Sequence, residues 1–247
     1  MAATVKQRIE YNLRSMEIFY LPVRNIQLGI THSYLTQLRI NDPKVGVLVD
    51  KTFMPVAERT VISEKITSWL ISNLFADIQK FRAREVESEW FGLYIPIRVL
   101  TKQNFISEIQ QQAESNNISL KDICLCFNQK ILYEDHNKIM EILSQTKEAG
   151  MKSLIMDFGD DFCPVTRISS IKTDYVLLSE SVAESLNSTK QEKRNAALAL
   201  YQLLNALDVE AISSSISDDE TAGSLPESSV LCTGKLAGSY RKPRSVR

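Results

Sequence analysis

Apolar residues recur along the chain in two rhythms. Across 63–84, Ile66, Trp69, Leu70, Leu74, Ile78 and Phe81 return at three- and four-residue steps, the period of a helix that lays one face on a core. The same period runs through 191–207, where Ala196, Ala197, Leu200, Leu203, Leu204 and Leu207 form the stripe. Shorter helical segments fall at 4–15 (Val5, Ile9, Leu13), at 104–112, stopped by Asn116-Asn117, and at 135–147, with Gly150 placed as C-cap. Between them lie short apolar runs bounded by turn residues, the mark of buried strands. They fall at 18–23 (IFYLPV), 34–40 (YLTQLRI), 91–99 (FGLYIPIRV), 122–127 (DICLCF), 153–156 (SLIM), 173–178 (TDYVLL), 209–213 (VEAIS) and 229–232 (SVLC). Residues 41–46 (NDPKVG) are turn chemistry, and Val47, Val49, Phe53 and Val56 lead from there into a helix. A stretch rich in Ser, Asp and Glu, 214–226, joins the last two strands.

Strands alternating with helices at this spacing imply βα units and a mostly parallel sheet. About eight strands in one chain favour an α/β fold of the TIM-like (β/α)8 barrel type, whose functional sites sit at the C-terminal strand ends. No internal repeat and no linker splits the chain. It divides into an N-terminal helical extension (1–15), one barrel domain (16–240) and a basic C-terminal tail (241–247, RKPRSVR) expected as a solvated end. The strand at 153–156 runs into Asp157-Phe158-Gly159, with Asp160-Asp161 in the loop beyond. A carboxylate at a strand end before a glycine turn is where α/β enzymes place acids and metal ligands.

Composition narrows the chemistry. The chain has 247 residues, of which 44% are apolar, and a net charge of −1 with mixed signs, so no global field favours nucleic acid or an acidic membrane. The four cysteines are Cys124, Cys126, Cys163 and Cys232. Cys124 and Cys126 stand two apart, which suits neither a disulfide nor a CxxC site, and His32 and His136 add no metal-ligand spacing. Residues i and i+2 of a strand share a face, so both thiols are expected to pack inside the barrel, with a redox-sensing thiol as the alternative. No apolar run of about 18 residues marks a membrane span. The N-terminus has no signal-peptide pattern, and a cytoplasmic protein is expected.

The order of these segments resembles the EAL-domain family, bacterial proteins that hydrolyse the second messenger cyclic di-GMP. FYLPVRN looks like that family's opening strand, and Phe53-Met54-Pro55-Val56-Ala57-Glu58 matches its F-I-P-x-A-E segment. MDFGDDF stands where the family has D-D-F-G-T-G-Y, and Ala211 to Ser217 (AISSSIS) where it has a V-A-E-G-V-E-type segment. Thr233-Gly234-Lys235-Leu236, with Pro243 beyond, looks like its closing Q-G-Y-x-x-x-x-P. The resemblance covers nearly all of the chain and implies a barrel in which one strand, the first, runs against the others.

Active members of the family use two divalent cations held by carboxylates and an amide at strand ends, which ionise the attacking water. Position by position, the resemblance puts other residues there. The glutamate of E-x-L falls on Leu35, the asparagine of the next strand on Pro96, and the glutamates of L-E-x-T-E on Cys126 and Gln129. The first aspartate of D-D-F falls on Met156, and the second is kept as Asp157. The lysine and aspartate of K-I-D fall on Leu177 and Ser179, and the two glutamates of A-E-G-V-E on Ser214 and Ser217. One carboxylate cannot hold two dications, so no phosphodiesterase activity, metal or cofactor is expected. The resemblance then implies a catalytically inactive regulator that acts on a protein partner in bacterial signalling. The alternative is a receptor that binds cyclic di-GMP without cleaving it, with Arg39 and Asp157 as its nucleotide-binding remnant. The structural counterparts are a strand-end salt bridge for Arg39 and a loop-holding acceptor role for Asp157. No nucleic acid or membrane partner is expected, and a homodimer stays open.

Overall fold

A computed structural model describes residues 15–43, 45–160 and 164–246. Strand β1 (Met16–Asn25) buries alternate residues over its first half, as a strand with one face on a core does. It runs antiparallel to β2 (Ile30–Asp42), Met16 opposite Ile40 and Asn25 opposite Ile30, and antiparallel to β9 (Leu231–Cys232) on its other side. The remaining ladder is parallel: β2 to β4 (Phe91–Tyr94), β5 (Ile123–Asn128), β6 (Lys152–Phe158), β7 (Tyr175–Leu178), β8 (Glu210–Ser213) and β9. The order β1-β9-β8-β7-β6-β5-β4-β2, sealed by β1 with β2, closes an eight-stranded barrel. The expected TIM-like barrel with its first strand reversed is therefore the architecture of this chain. One further strand, β3 (Gly46–Val49), pairs antiparallel with β2 outside the closed ring.

Helices α1 (Asp50–Ala57), α2 (Ile62–Arg82), α3 (Ile97–Leu100), α4 (Phe105–Ser115), α5 (His136–Glu148), α6 (Glu180–Leu186), α7 (Gln191–Ala206) and α8 (Asp219–Gly223) follow the strands. The stripe expected on α2 is buried at Ile66, Leu70, Leu74, Ile78 and Phe81. A polar pin fixes this helix to β1. The Tyr20 hydroxyl donates to Asp77 Oδ2 at 3.0 Å, and Lys80 Nζ donates to Oδ1 at 2.9 Å. Each oxygen of this nearly buried carboxylate thus has a donor, which offsets its desolvation.

Several expectations change. The run at 91–99 is a strand only to Tyr94, because Pro96 has no N–H for a ladder and instead opens α3, its carbonyl accepting from Val99 and Leu100. Val47 and Val49 form β3 before the expected helix begins. The Ser- and Asp-rich 214–226 holds α8, whose first turn is capped by Asp218 Oδ1 accepting from Thr221 N at 2.9 Å. The tail is not a solvated end over 241–246. Arg241 and Tyr20 exchange two backbone bonds of 2.8 Å, Arg84 donates to the carbonyls of Pro243 and Arg244, and Val246 is buried. The helix expected at 4–15 lies outside the described residues up to residue 14, as do Asp161, Cys163 and Arg247.

The lower end of the barrel, at the N-terminal ends of the parallel strands, is closed by rings. His32 lies 6.1 Å from Trp90 and 6.3 Å from Tyr175, and those two lie 5.2 Å apart, centroid to centroid. Desolvation by this packing lowers the His32 imidazole below its usual 6.5, against the opposing charge of Glu89. A depressed histidine contributes stability that is complete above the unfolded value and is lost as pH falls through the folded one. Urea denaturation at pH 7.5 and 5.5 is therefore expected to show a larger acid-side loss in the wild type than in His32→Gln. Burial pushes the carboxyls of Asp50 and Glu210 up, and their contribution is lost as pH rises, the opposite sense. They titrate alike in both proteins, so the difference isolates His32, and two parallel profiles would refute its burial as a neutral ring.

Candidate functional site

Strand alternation decides what fills the barrel. The inward positions Val23, Leu35, Trp90, Cys124, Cys126, Leu154, Tyr175, Leu177, Ile212 and Leu231 form one apolar cluster, with Leu21 and Met156 packed on it. Leu35, Cys126 and Leu177 are 4%, 1% and 8% exposed. Gly92 makes this packing fit, since a Cβ there would stand 3.0 Å from both Cys126 Sγ and Leu35 Cδ2. Both strand-β5 thiols do face inward, Cys126 Sγ lying 3.5 Å from the Cys124 carbonyl, and burial pushes the Cys124 thiol up.

Polar side chains gather above this floor, at the C-terminal strand ends. Asp157 sits in left-handed backbone (φ 57°), which aspartate tolerates, and its Oδ2 accepts from Asn128 Nδ2 at 3.0 Å. It therefore clamps its neighbour strand in addition to shaping its own turn. Tyr94, the last residue of β4, donates to Glu58 Oε1 at 2.5 Å. Its phenol is pushed up by burial, then by Glu58, Asp157 and Asp50, so all three carboxylates bear on one ring. Asp50 accepts from the Leu38 and Lys51 amides at 3.1 and 2.8 Å. Tyr240, from the closing segment, is pushed up to about 12 by burial, then by Asp50, with Arg39 opposing.

Arg39 does reach this rim, but its guanidinium is engaged. Its Cζ lies 3.8 Å over the Phe19 ring and 5.1 Å from Tyr240, and Nε donates to Gln37 Oε1 at 2.9 Å. Stacking takes the place of the expected strand-end salt bridge. Ser179 bonds Ser181 at 2.8 Å, and Ser217 turns to the α8 cap, donating to Asp218 Oδ2 at 2.7 Å. Ser214 lies just beyond the end of β8, and its Oγ is buried without a hydrogen-bond partner. Gln129 donates through Nε2 to the Asp160 carbonyl while its Oε1 has no partner.

Pro96 lies beyond the strand, so the strand end itself belongs to Tyr94. Of the sequence-based set, Leu35, Cys126 and Leu177 meet in the inward cluster with Met156 packed against it, and Asp157 joins the polar groups at the strand ends through Asn128. Tyr94, Glu58, Asp50, Asn128 and Tyr240 are not among the site residues that the sequence singles out. Pro96 itself was the available signal for Tyr94, because it caps how far the strand can run. The donor set does not fit a pair of dications. Among the described residues no three His, Cys, Asp or Glu side chains converge on a metal position. No described helix is long and apolar enough to cross a membrane.

Comparison with known proteins agrees with this architecture. The profile of the EAL domain matches residues 4–231. Among curated relatives, the cyclic di-GMP phosphodiesterase PA2567 of Pseudomonas aeruginosa is 20% identical over 204 residues, covering 83% of this chain and 34% of its own. The probable cyclic di-GMP phosphodiesterase PdeB of Escherichia coli is 19% identical over 165 residues, 67% of this chain and 31% of its own. The chain spans between about a fifth and a third of the length of the curated relatives it matches. Among solved structures, the PaMucR phosphodiesterase in complex with cyclic di-GMP superposes with a TM-score of 0.89 at 14% identity, covering 99% of this chain and 100% of that one. The EAL enzyme Bd1971, with cAMP and cyclic di-GMP bound, gives 0.88 at 19% identity, 98% of this chain and 66% of that one.

Proposed function

The chain belongs to the EAL-domain family, and from that premise we propose that it is a catalytically inactive regulator in cyclic di-GMP-linked bacterial signalling, working in the cytoplasm through contact with a protein partner. One observation carries this reading. Leu35, Cys126 and Leu177, matched by the resemblance to two carboxylates and a lysine of active members, lie inside a packed apolar cluster with Met156 against it. None of these side chains offers an oxygen ligand or an ammonium. Polarising a phosphodiester and ionising water there would need cations that this donor set does not fit. Packing of this kind also removes the repulsion that clustered carboxylates suffer without their metals.

The second reading is a receptor that binds cyclic di-GMP without hydrolysing it. It draws on Arg39 and Asp157, still at the rim, and is weakened by the stacking of Arg39 on Phe19. One set of measurements separates the two. Purified protein with magnesium or manganese is expected to leave cyclic di-GMP intact, and calorimetric titration is expected to show no micromolar binding. Binding at micromolar or tighter affinity that is lost in Arg39→Ala would establish the receptor instead. Turnover of cyclic di-GMP above a protein-free blank would overturn both.

A further inference from the structure

The lower end of the barrel holds an open cavity of about 540 Å³. One wall is the turn from β1 to β2, and the other is the end of α2 with the segment that leads into β4. Leu28 and Ile30 line it from the turn and are 68% and 55% exposed. Half-buried Val86 lines it from the facing segment, and the buried rings of Phe81 and Phe91 line its base. Both walls are held in place by the fold. Asn25 Oδ1 accepts from the amides of Gln27 and Leu28 at 3.1 and 3.0 Å, which fixes the turn that presents Leu28. Across the cavity, Val86 N donates to the Phe81 carbonyl at 3.0 Å and Glu89 N to the His32 carbonyl at 2.8 Å. Apolar surface ordered in this way loses little further entropy when something covers it. The charge around it has one sign. Glu87, Glu89 and Asp122 line the cavity against one guanidinium, that of Arg82. Arg82 is already engaged, pairing with Asp122 at 2.5 Å and donating to the Asn117 carbonyl at 2.9 Å. Among the described residues, no ion pair engages Glu87 or Glu89. His32 adds no cation at pH 7, because burial holds its imidazole below 6.5.

We propose that this groove is where the protein partner docks, through a segment that carries leucine-sized side chains between lysines or arginines. The proposal rests on the partner-binding reading and gives it a face. Two features of the groove select such a segment together. Its apolar side chains remove Leu28, Ile30 and Val86 from water, and exposed aliphatic surface of this kind is the main source of affinity. Its cations meet Glu87 and Glu89, which have no cation of their own, and their methylene stems extend the apolar cover to the groove's edge. A second copy of this chain fits less well. A two-fold contact brings the same patch of both copies together, so the glutamates of one would face those of the other. An anionic lipid surface or a nucleotide phosphate meets the same carboxylates with like charge.

The test uses the full chain with 13C-labelled histidine rings. The chain has two histidines, so His32 reports on the groove and His136, which does not line it, is the internal control. The probes are three blocked pentapeptides: lysine alternating with leucine, glutamate alternating with leucine, and lysine alternating with serine. The His32 ring resonances are expected to shift saturably with the lysine-leucine peptide alone, while those of His136 stay in place. Leu28→Ser is expected to weaken this binding about 10-fold and Glu87→Lys about 5-fold. Both side chains are exposed, so the thermal melts should match wild type. An equal shift with either control peptide, no His32 shift at millimolar peptide, or binding unchanged in both variants would each overturn the assignment. So would a wild-type dimer that Leu28→Ser dissociates, which would give the groove to a second copy. A protein partner that binds wild type, Leu28→Ser and Glu87→Lys equally would overturn it too, and would leave the partner-binding reading standing. Cyclic di-GMP hydrolysis would remove that reading itself.

Discussion

Replacing Leu35 by glutamate is expected to destabilise the barrel by more than about 4 kcal/mol at pH 7, and not to restore phosphodiester hydrolysis. Leu35 is 4% exposed and shares its cluster with Val23, Cys126, Leu154 and Leu177. Gly92 packs closely on it, since a Cβ there would stand 3.0 Å from Leu35 Cδ2 and 3.3 Å from its Cα. A carboxylate at position 35 is surrounded by the apolar and thiol side chains of that cluster, with no cationic side chain among them. The buried group would answer by raising its pKa, so it would be tolerated better protonated. The stability deficit should therefore be smaller at pH 5 than at pH 7, the sign for an acid whose folded value lies above its unfolded one. Urea denaturation at both pH values measures this, beside Leu35→Ala, for which the lost burial and the cavity together cost about 2–5 kcal/mol with no charge introduced. A Leu35→Glu protein as stable as wild type at pH 7 would mean that the interior is wet, and the case against metal chemistry would fall with it.

Gly234→Ala should be the most damaging of the glycine-to-alanine changes, at about 3 kcal/mol or more. Gly234 has φ 118°, and a Cβ on it would stand 2.5 Å from both the nitrogen and the oxygen of Ile216. That backbone cannot retreat. Ile216 N donates to the Thr233 carbonyl at 2.9 Å, and its own carbonyl accepts from Leu236 at 3.0 Å. Relief of the clash would break the crossing that ties the end of β8 to the segment after β9. At about 2–4 °C per kcal/mol for a chain of this size, a thermal melt should fall by roughly 6–12 °C. Gly46→Ala is the control. Its φ is 86°, with nothing within 4 Å of the added carbon, so it isolates the backbone strain, about 1 kcal/mol. Equal losses at the two sites would show that the Ile216 crossing yields.

Much of this architecture is legible in the sequence, for identifiable reasons. The α2 and α7 stripes declare themselves because a helix repeats its buried face many times. The inward pair Cys124 and Cys126 follows from strand alternation alone. What stayed hidden depended on single residues or on distant partners. FGLYIPIRV reads as one strand because its apolar residues continue past the break at Pro96 to Ile97 and Val99, the latter buried as part of a helix. Tyr94 therefore goes unnoticed as a strand end until the backbone is seen. The tail reads as solvated because charge dominates RKPRSVR, while the one apolar residue that docks, Val246, carries little weight in any window. The company Arg39 keeps could not be read locally, since Phe19 and Tyr240 approach it from opposite ends of the chain.

The strand outside the ring has a consequence of its own. A closed barrel has no first or last strand, so it offers nothing for another chain to extend. Here β3 reintroduces an edge, carrying Val47 at 59% exposure beside Val45 at 53%. Its four residues, GVLV, contain no charge and no proline of the kind that natural edges use as guards. At high concentration, cross-chain β-templating of this domain would start at that tetrapeptide, and the barrel wall would take no part in it.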